Sequence, residues 1–168
     1  MPKIIENLDQ RLMEEARRQI KESGYGTMTI RSVAAACGVG VGTVYNYYPS
    51  KEALVAAFIL EDWNVCYADI MNRAESAKGL EPVLWAIYEN LNRFISEHIA
   101  VFQDESAAAS FTGSFSRYHG LLRSQLAKPV RRFCRDDFTA EFTAEAMLTW
   151  AVAGKSFDEL SNVLLRIF

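Results

Sequence analysis

Four hydrogen-bonding side chains lie close together just before position 50 of the sequence. They are a threonine, an asparagine and two tyrosines: Thr43, Tyr45, Asn46 and Tyr47. The stretch begins with Gly40, Val41 and Gly42 and ends before Pro49. Hydroxyl and amide groups donate and accept hydrogen bonds, and on a short helix opened by glycine these side chains serve no packing purpose. The pattern therefore favours contact with an external molecule over the alternative, an ordinary polar helix surface.

The surrounding residues predict a helix-turn-helix. Thr29 suits the N-cap of a helix whose apolar residues recur at i, i+3, i+4 and i+7, namely Ile30, Val33, Ala34 and Cys37. Gly38 can adopt the left-handed conformation that ends such a helix. A second helical stretch follows, with its apolar pair Val44 and Tyr48 four residues apart, and Pro49 ends it. In a helix-turn-helix the second helix enters the major groove of DNA.

At these residues the chain resembles the TetR/AcrR family of bacterial transcriptional repressors. The resemblance covers about Asp9 to Phe58. It depends on five segments: Ser23-Gly24-Tyr25-Gly26, the Thr29 cap, Ala36-Cys37-Gly38-Val39, Gly42-Thr43-Val44-Tyr45, and Tyr47-Tyr48-Pro49-Ser50-Lys51-Glu52-Ala53-Leu54. After about residue 60 it extends only to length and helical pattern. It implies a repressor that binds double-stranded operator DNA as a homodimer and is released by a small-molecule effector.

The same resemblance implies roles for individual residues. Tyr45 and Tyr47 would donate hydroxyl hydrogen bonds to phosphates, and Thr43 and Asn46 would lie near base edges. Gly42, which has no side chain, would let the helix backbone approach the groove. The expected DNA-binding residues are Thr29, Gly40, Val41, Gly42, Thr43, Tyr45, Asn46, Tyr47 and Lys51.

Two of these positions depart from the family pattern. The pattern often has a polar or basic residue where this chain has Val41, and serine or threonine where it has Gly40. Val41 can instead contact a thymine methyl group. Lys51 lies in the first turn of its helix, where a cation opposes the helix dipole, so we expect it to bind an external anion such as phosphate. Thr29 would offer its hydroxyl or the helix N-terminus to phosphate as well.

The charge distribution alone gives little support to DNA binding. The net charge is −3, and residues 1–60 carry 7 Lys and Arg against 6 Asp and Glu, whereas residues 61–168 carry 11 against 15. A DNA-binding domain usually has a stronger excess of cations, so the inference depends on the motif. With 50% hydrophobic and 12% aromatic residues, the chain can bury a sizeable core.

Cysteine usage and hydropathy predict a cytoplasmic protein that does not enter a membrane. The three cysteines, Cys37, Cys66 and Cys134, are widely spaced and odd in number, which argues against a disulfide framework and against a zinc site. No apolar run approaches the roughly 18 residues of a membrane span. The N-terminus alternates charges where a signal peptide would have a hydrophobic block.

Helical periodicity predicts an all-α fold. We expect a three-helix DNA-binding domain at residues 1–48, which contains the helix-turn-helix, and a helical effector-binding and dimerisation domain at residues 49–168. A long helix starting near Lys51 and reaching about Ala77 would link them. The further helices expected are one opened by Pro82 and ending near His98, a short one ended by Gly113, one from about Ser114 kinked or divided at Pro129, and two final helices separated near Gly154.

Two groups of residues in the second domain are candidates for ligand binding and dimerisation. An apolar or aromatic effector would be bound by aromatic side chains, although such residues are also typical of a simple core. They are Trp63, Trp85, Tyr88, Phe102, Phe111, Phe115 and Tyr118. The last two helices offer apolar faces for a two-fold, four-helix dimer interface. The interface residues expected are Phe142, Ala146, Trp150, Leu160 and Leu164.

Catalytic chemistry has little support in the sequence. His98 and His119 have no acidic or cysteine partner at ligand spacing, so we expect no catalytic site, no metal and no cofactor. The alternative function is a helical binding or enzyme-like bundle in which the helix-turn-helix is only structural and one of these histidines does chemistry.

Overall fold

The structure is a computed structural model that describes residues 7–168, without the side chains of residues 112–116. Within this range nine α-helices follow one another, a 3-10 turn at Arg131–Phe133 separates the seventh from the eighth, and the described residues form no strand. The helices are α1 (Leu8–Ser23), α2 (Ile30–Cys37), α3 (Val41–Tyr47), α4 (Lys51–Ser76), α5 (Leu80–Glu97), α6 (Ile99–Phe102), α7 (Glu105–Val130), α8 (Asp137–Val152) and α9 (Phe157–Leu164). The all-α prediction is confirmed.

The helices divide into two compact units. Of the described residues, the first unit contains 7–61 together with His98–Thr112. The second contains Asp62–Glu97 and Gly113–Phe168. Helices α4 and α7 contribute residues to both. The first unit therefore includes, besides the segment expected to bind DNA, the start of α4 and the region around α6.

An apolar face on each helix builds the core of the first unit. Helix α1 presents Leu12 and Ala16, and α3 presents Val44, all of them fully buried. Helix α4 adds Leu54 and Phe58 to the same cluster. Burial of each large apolar side chain contributes roughly 1.5 to 3 kcal/mol, so this packing holds α2 and α3 in place.

The turn between α2 and α3 has the predicted chemistry. Gly38 has a φ of 69°, in the left-handed region that favours glycine. Its backbone N–H donates to the carbonyl of Ala35 at 3.1 Å, and the N–H of Val39 donates to Ala34 at 3.0 Å. Helix α3 ends at Tyr47, and the next residue, Tyr48, is extended as expected before a proline.

The predicted break at Gly113 is wrong. Helix α7 passes through this residue and through Gly120 without interruption. A single glycine in a helix costs only about 1 kcal/mol relative to alanine, which does not end a helix that is otherwise well formed. The helix begins after Asp104, whose Oδ1 accepts backbone N–H groups of Ser106 at 2.9 Å and Ala107 at 3.0 Å. Pro129 lies in its last turn.

The two longest helices are α4 and α7, with 26 residues each. The observed bounds of α4 agree with the expected helix from Lys51 to about Ala77. Both helices carry charged residues along their length, such as Glu61 in α4 and Arg123 in α7. None of the helices in the described part of the chain is long and apolar enough to cross a membrane.

In the second unit, α5 packs against α8, and α9 packs against both. The buried residues of α5 include Val83, Leu84 and Ile87, and those of α8 include Ala144 and Met147. Gly154, with a φ of 64°, lies in the turn that separates α8 from α9. The separation of the two final helices thus agrees with the prediction.

Candidate nucleic-acid interface

An open groove of about 620 Å³ lies on the first unit. Four segments line it: the turn after α1, the start of α2, one side of α3 at Val41 and Tyr45, and the residues from Pro49 into the first turn of α4. The lining residues are Gly26, Met28, Thr29, Ile30, Arg31, Val41, Tyr45, Pro49, Ser50, Lys51 and Glu52. The fold therefore brings together four of the residues expected from the sequence to contact DNA, Thr29, Val41, Tyr45 and Lys51.

Thr29 caps α2 through a reciprocal pair of hydrogen bonds. Its Oγ1 accepts the N–H of Ser32 at 3.0 Å, and its own N–H donates to Ser32 Oγ at 3.1 Å. Ser32 Oγ in turn donates to Gln19 Oε1 at 2.6 Å, which ties the cap to α1. The Thr29 hydroxyl is therefore already used within the protein, so the backbone N–H groups of the first turn are the better donors to an anion.

Lys51 has an internal partner that the sequence argument did not anticipate. Its Nζ donates to the backbone carbonyl of Tyr25 at 2.5 Å and lies 3.9 Å from the centre of the Tyr25 ring. Burial lowers the pKa of Lys51, while the carboxylates of Glu52 and Asp104 act in the opposite direction. An ammonium group has three donors, so Lys51 keeps donors for a further partner in the groove.

The outer surface of α3 is polar and uncharged. The side chains of Tyr45, Asn46 and Tyr47 are exposed, and they have no hydrogen-bond partner among the described residues. Val41 and Thr43 are half-buried, whereas Val44 is fully buried and anchors the helix. The helix thus presents free hydroxyl and amide groups to solvent.

Neither glycine at the start of α3 is required by the fold. Gly40 has a φ of −72° and a ψ of 148°, which any residue adopts. A side chain at Gly42 would meet nothing within 4 Å, and one at Gly40 would only meet Thr43 Oγ1, at 3.8 Å. Glycine at these positions leaves the backbone of α3 open to close approach by another molecule.

Arg31 is a groove residue that the sequence argument missed. It lies in the first turn of α2, is exposed, and has no hydrogen-bond or ion-pair partner among the described residues. Its position in the sequence could have indicated this role, because a cation in the first turn of a helix opposes the helix dipole and favours an external anion, as for Lys51. Ser50 was also missed as a lining residue; its Oγ accepts the N–H of Ala53 and caps α4.

Three arginines of α1 are occupied within the protein. Arg11 donates to the carbonyl of Cys37 at 3.2 Å, and Arg17 pairs with Glu61 at 3.4 Å. Arg18 pairs with two glutamates of its own helix. Arg31 and Lys51 are therefore the cations that the groove offers to an anion, and Glu52 is the acid beside them.

The residues expected to bind an effector fall into separate groups. Phe102 and Phe111 belong to the first unit, where Phe111 packs on Tyr25. In the second unit, Trp85 and Tyr88 pack on Phe157, with ring centres 5.0 and 5.4 Å apart. Trp63 is buried and packs elsewhere in that unit, with its ring against Phe94 and its Nε1 donating to Gln125. Tyr118 is exposed. The side chain of Phe115 lies outside the described residues.

The residues expected at a dimer interface also differ in exposure. Phe142 of α8 is 48% exposed and stacks on Phe138, which is 78% exposed. Ala146 and Trp150 are half-buried. Leu160 and Leu164 are buried within their own unit, so they are not available to a partner chain. Apolar residues occur on more than one side of α8, so their spacing along the sequence does not tell which side packs inward.

The two histidines have different surroundings. His98 is buried in the first unit beside Phe58 and Phe102, as an aromatic core residue. His119 Nε2 lies 3.0 Å from both carboxylate oxygens of Glu145, a partner that is distant in sequence. Thr149 donates to the same carboxylate at 3.3 Å. Among the described residues, no cluster of three metal-ligating side chains occurs.

Comparison with known proteins assigns the helix-turn-helix. The sequence model of the family described as bacterial regulatory proteins, tetR family, matches residues 12–58. The HTH-type transcriptional regulator UidR of Escherichia coli is 35% identical over 52 residues, which are 31% of this chain and 26% of UidR. The HTH-type transcriptional repressor AcnR of Corynebacterium efficiens is 32% identical over 88 residues, 52% of this chain and 44% of AcnR. The chain thus covers less than half of either relative.

The likeness in three dimensions extends further along the chain. FadR of Thermus thermophilus, a TetR-family transcriptional repressor solved in complex with lauroyl-CoA, superimposes with a TM-score of 0.62. The match covers 95% of this chain and 92% of that chain, at 21% sequence identity. It shows that the helices of both units follow the same fold.

Proposed function

We propose that the chain, whose residues 12–58 match the sequence model of the tetR family of bacterial regulatory proteins, is a transcriptional repressor that binds operator DNA through its first unit. The observation that supports this most is the groove that gathers Thr29, Arg31, Tyr45 and Lys51 on one surface. Two cations, a helix N-terminus and a phenol hydroxyl are suited to a DNA phosphate.

In this proposal α3 lies in the major groove. Its exposed side chains would contact base edges through Thr43 and Asn46 and phosphates through Tyr45 and Tyr47. Gly40 and Gly42 would allow the backbone of α3 to approach the DNA. Lys51 would contact a phosphate while it keeps its hydrogen bond to Tyr25.

We propose that the protein binds a palindromic operator as a homodimer. One helix-turn-helix reads only a few base pairs, so two recognition helices about 34 to 36 Å apart, or a multiple of this, are needed for specific binding. The exposed apolar residues of the last two helices support an interface there, because Phe138 and Phe142 stack on each other at the surface and adjoining exposed apolar side chains often mark an interaction site. They include Phe138, Phe142, Val152 and Val163.

The proposed effector is an apolar or aromatic molecule bound by the second unit. The aromatic cluster of Trp85, Tyr88 and Phe157 and the fold neighbour that binds lauroyl-CoA support this chemistry. An effector that prefers the conformation with low DNA affinity would release the repressor from its operator.

The test is a fluorescence-anisotropy titration of labelled DNA from upstream of the protein's own gene, because autoregulation is common among such repressors. We expect saturable binding that weakens as salt rises, and competition by unlabelled copies of the same DNA but only weak competition by unrelated duplex. If Tyr47→Ala and Lys51→Ala both bind as tightly as the unmodified protein, the proposed docking is wrong. Equal affinity for all DNA sequences would contradict operator recognition.

A further inference from the structure

We propose that the base pairs read by α3 are A·T pairs, so that each operator half-site has A·T pairs at the positions that α3 contacts. The inference rests on the proposed operator binding and names the class of sequence that the operator belongs to. Its basis is the composition of α3, Val-Gly-Thr-Val-Tyr-Asn-Tyr, which contains no Lys, Arg, Asp or Glu.

Recognition of a G·C pair in the major groove favours charged side chains. Guanine presents two acceptors, N7 and O6, which Arg or Lys contacts with two donors, and cytosine presents an amino donor that Asp or Glu accepts. Helix α3 has none of these four residue types. The two groove cations, Arg31 and Lys51, lie on α2 and α4 instead.

An A·T pair matches what α3 does present. Adenine offers the N7 acceptor and the N6 donor, which together fit the amide of asparagine, and Asn46 is exposed with no internal partner among the described residues. Thymine offers a methyl group that an apolar side chain or a threonine methyl contacts. Val41 and Thr43 are half-exposed at the start of the helix and supply such groups.

The glycines beside Val41 affect how closely α3 can approach DNA. Gly40 and Gly42 flank Val41, and an added side chain at Gly42 would find open space. Val41 itself packs partly against the core of the first unit, so only the exposed part of its side chain is available to DNA. An apolar contact has a range of only about 4 to 4.5 Å between heavy atoms, so the absence of side chains on both sequence neighbours favours it.

The experiment is a binding selection from a duplex library with a randomised centre, followed by sequencing. The positions read by α3 are defined as those whose base preference changes in Asn46→Ala or Thr43→Ala. At these positions we expect the unmodified protein to enrich A·T pairs, and Asn46→Ala to lose on the order of tenfold preference at one pair of each half-site. Asn46→Arg should move the preference at the same pair to G·C, because Arg contacts guanine with two donors.

The matched control for the added charge is Gln10→Arg, at an exposed position of α1. The Gln10→Arg protein should bind the selected duplexes at least as tightly as the unmodified protein, and it should enrich the same sequence motif. Enrichment of G·C pairs at the positions defined by Asn46→Ala overturns the inference but leaves operator binding intact. A motif that is identical for the unmodified protein, Asn46→Ala and Asn46→Arg also overturns it. If no sequence is enriched by any variant, the proposed function itself fails.

Discussion

The ε-ammonium group of Lys51 donates a hydrogen bond to the backbone carbonyl of Tyr25 and lies 3.9 Å from the centre of the same residue's ring. The Tyr25 hydroxyl donates to Glu52 at 3.4 Å, so the first turn of α4 holds Tyr25 at two points. The next residue, Gly26, donates its N–H to the carboxylate of Asp104. The position of a groove cation therefore depends on residues in three separate segments of the first unit.

Lys51→Ala should reduce operator affinity and the salt dependence of binding together. If Lys51 contacts a phosphate, its loss lowers the slope of log affinity against log salt by about one unit for each protomer. Lys51→Arg keeps the charge and should keep most of the slope. Anisotropy titrations at several salt concentrations measure both quantities.

Lys21→Ala is the matched control, since Lys21 is an exposed cation of α1 that does not line the groove. Its slope should be that of the unmodified protein. Because Lys51→Ala also removes a hydrogen bond and a cation–π contact, urea unfolding must show that the variant is folded at the assay temperature. A folded Lys51→Ala protein with an unaltered slope would exclude phosphate contact by this residue.

Gly42→Ala should stabilise the protein and weaken operator binding at the same time. Alanine favours the helix over glycine by roughly 0.5 to 1 kcal/mol, and the added methyl group meets nothing within 4 Å. In the complex the same methyl group would keep α3 away from the DNA. We expect operator affinity to fall on the order of tenfold, equivalent to about 1.4 kcal/mol.

Gly120→Ala provides the control for this prediction, because Gly120 is inside α7 and an added side chain there also meets nothing within 4 Å. It should raise the thermal midpoint without changing operator affinity. If Gly42→Ala binds the operator as tightly as the unmodified protein, close approach at this position is not needed, and the glycine has no role in DNA binding.

The helix-turn-helix was predictable because its signals are local. Thr29 and Gly38 each act through a hydrogen bond or a dihedral angle of their own turn, and the structure has both as expected. The break at Gly113 was mispredicted because the cost of one glycine is small compared with the packing of a long helix. The side of α8 that packs inward was not predictable either, since Phe142 and Met147 are both apolar, yet Phe142 is exposed and Met147 is buried.

In the candidate site, too, some features are predictable from the sequence and others depend on how the helices pack. Exposure of Tyr45, Asn46 and Tyr47 followed from helical spacing, and the structure has all three exposed. The partner of Lys51 did not follow from spacing, because Tyr25 lies 26 residues earlier in the chain. Contacts of this kind depend on how α1 and α4 pack, and single-sequence periodicity carries no information about that.

Phe138→Glu combined with Phe142→Glu should convert a dimer into monomers. Both side chains are exposed and stack on each other, so the substitutions leave the core of the second unit intact. A charge buried at an interface without a partner is strongly unfavourable. Sedimentation velocity should then show a single species of about 19.0 kDa, the mass of one chain.

Val65→Glu is the control, since Val65 is 64% exposed on α4 and is not among the residues expected at the interface. It should sediment like the unmodified protein. If the Phe138 and Phe142 double variant remains a dimer, the interface lies on another surface, and the same measurement with charged substitutions elsewhere would locate it.

Replacement of Asp104 by asparagine should change both the stability of the fold in acid and the affinity for operator DNA. Hydrogen bonds from the Ser106 hydroxyl and from backbone N–H groups hold its pKa below the usual value of 3.8. A lowered pKa means that the folded state binds the proton more weakly than the unfolded state. The stabilisation is therefore present above the usual pKa and is lost as the pH falls through the lowered one. The difference in unfolding free energy between the unmodified protein and Asp104→Asn should shrink over that acidic range.

Asp136→Asn is the matched variant in the second unit, where Asp136 Oδ1 accepts the N–H of Thr139 at 2.7 Å and caps α8. The same kind of hydrogen bond lowers the pKa of Asp136, so it should show a similar acid dependence. Only Asp104→Asn should also weaken operator binding at neutral pH, because Asp104 holds Gly26 next to Tyr25. Equal operator affinity of the two variants would show that Asp104 is only a helix cap.

Lauroyl-CoA, the ligand of the Thermus thermophilus fold neighbour, is a suitable first effector to test. Binding in the second unit should change tryptophan fluorescence, and Trp85→Phe should remove most of the change if the cluster with Tyr88 and Phe157 contacts the ligand. A differential affinity of about 3 kcal/mol for the state with low DNA affinity would weaken operator binding on the order of 100-fold. By linkage, saturating operator DNA must weaken lauroyl-CoA binding by the same factor, and the two titrations can be compared directly.

If the fluorescence titration shows binding but operator affinity stays constant at saturating lauroyl-CoA, no coupling exists between the two sites for this ligand. The proposed release mechanism then fails for acyl thioesters, and the same pair of titrations decides it for an aromatic ligand.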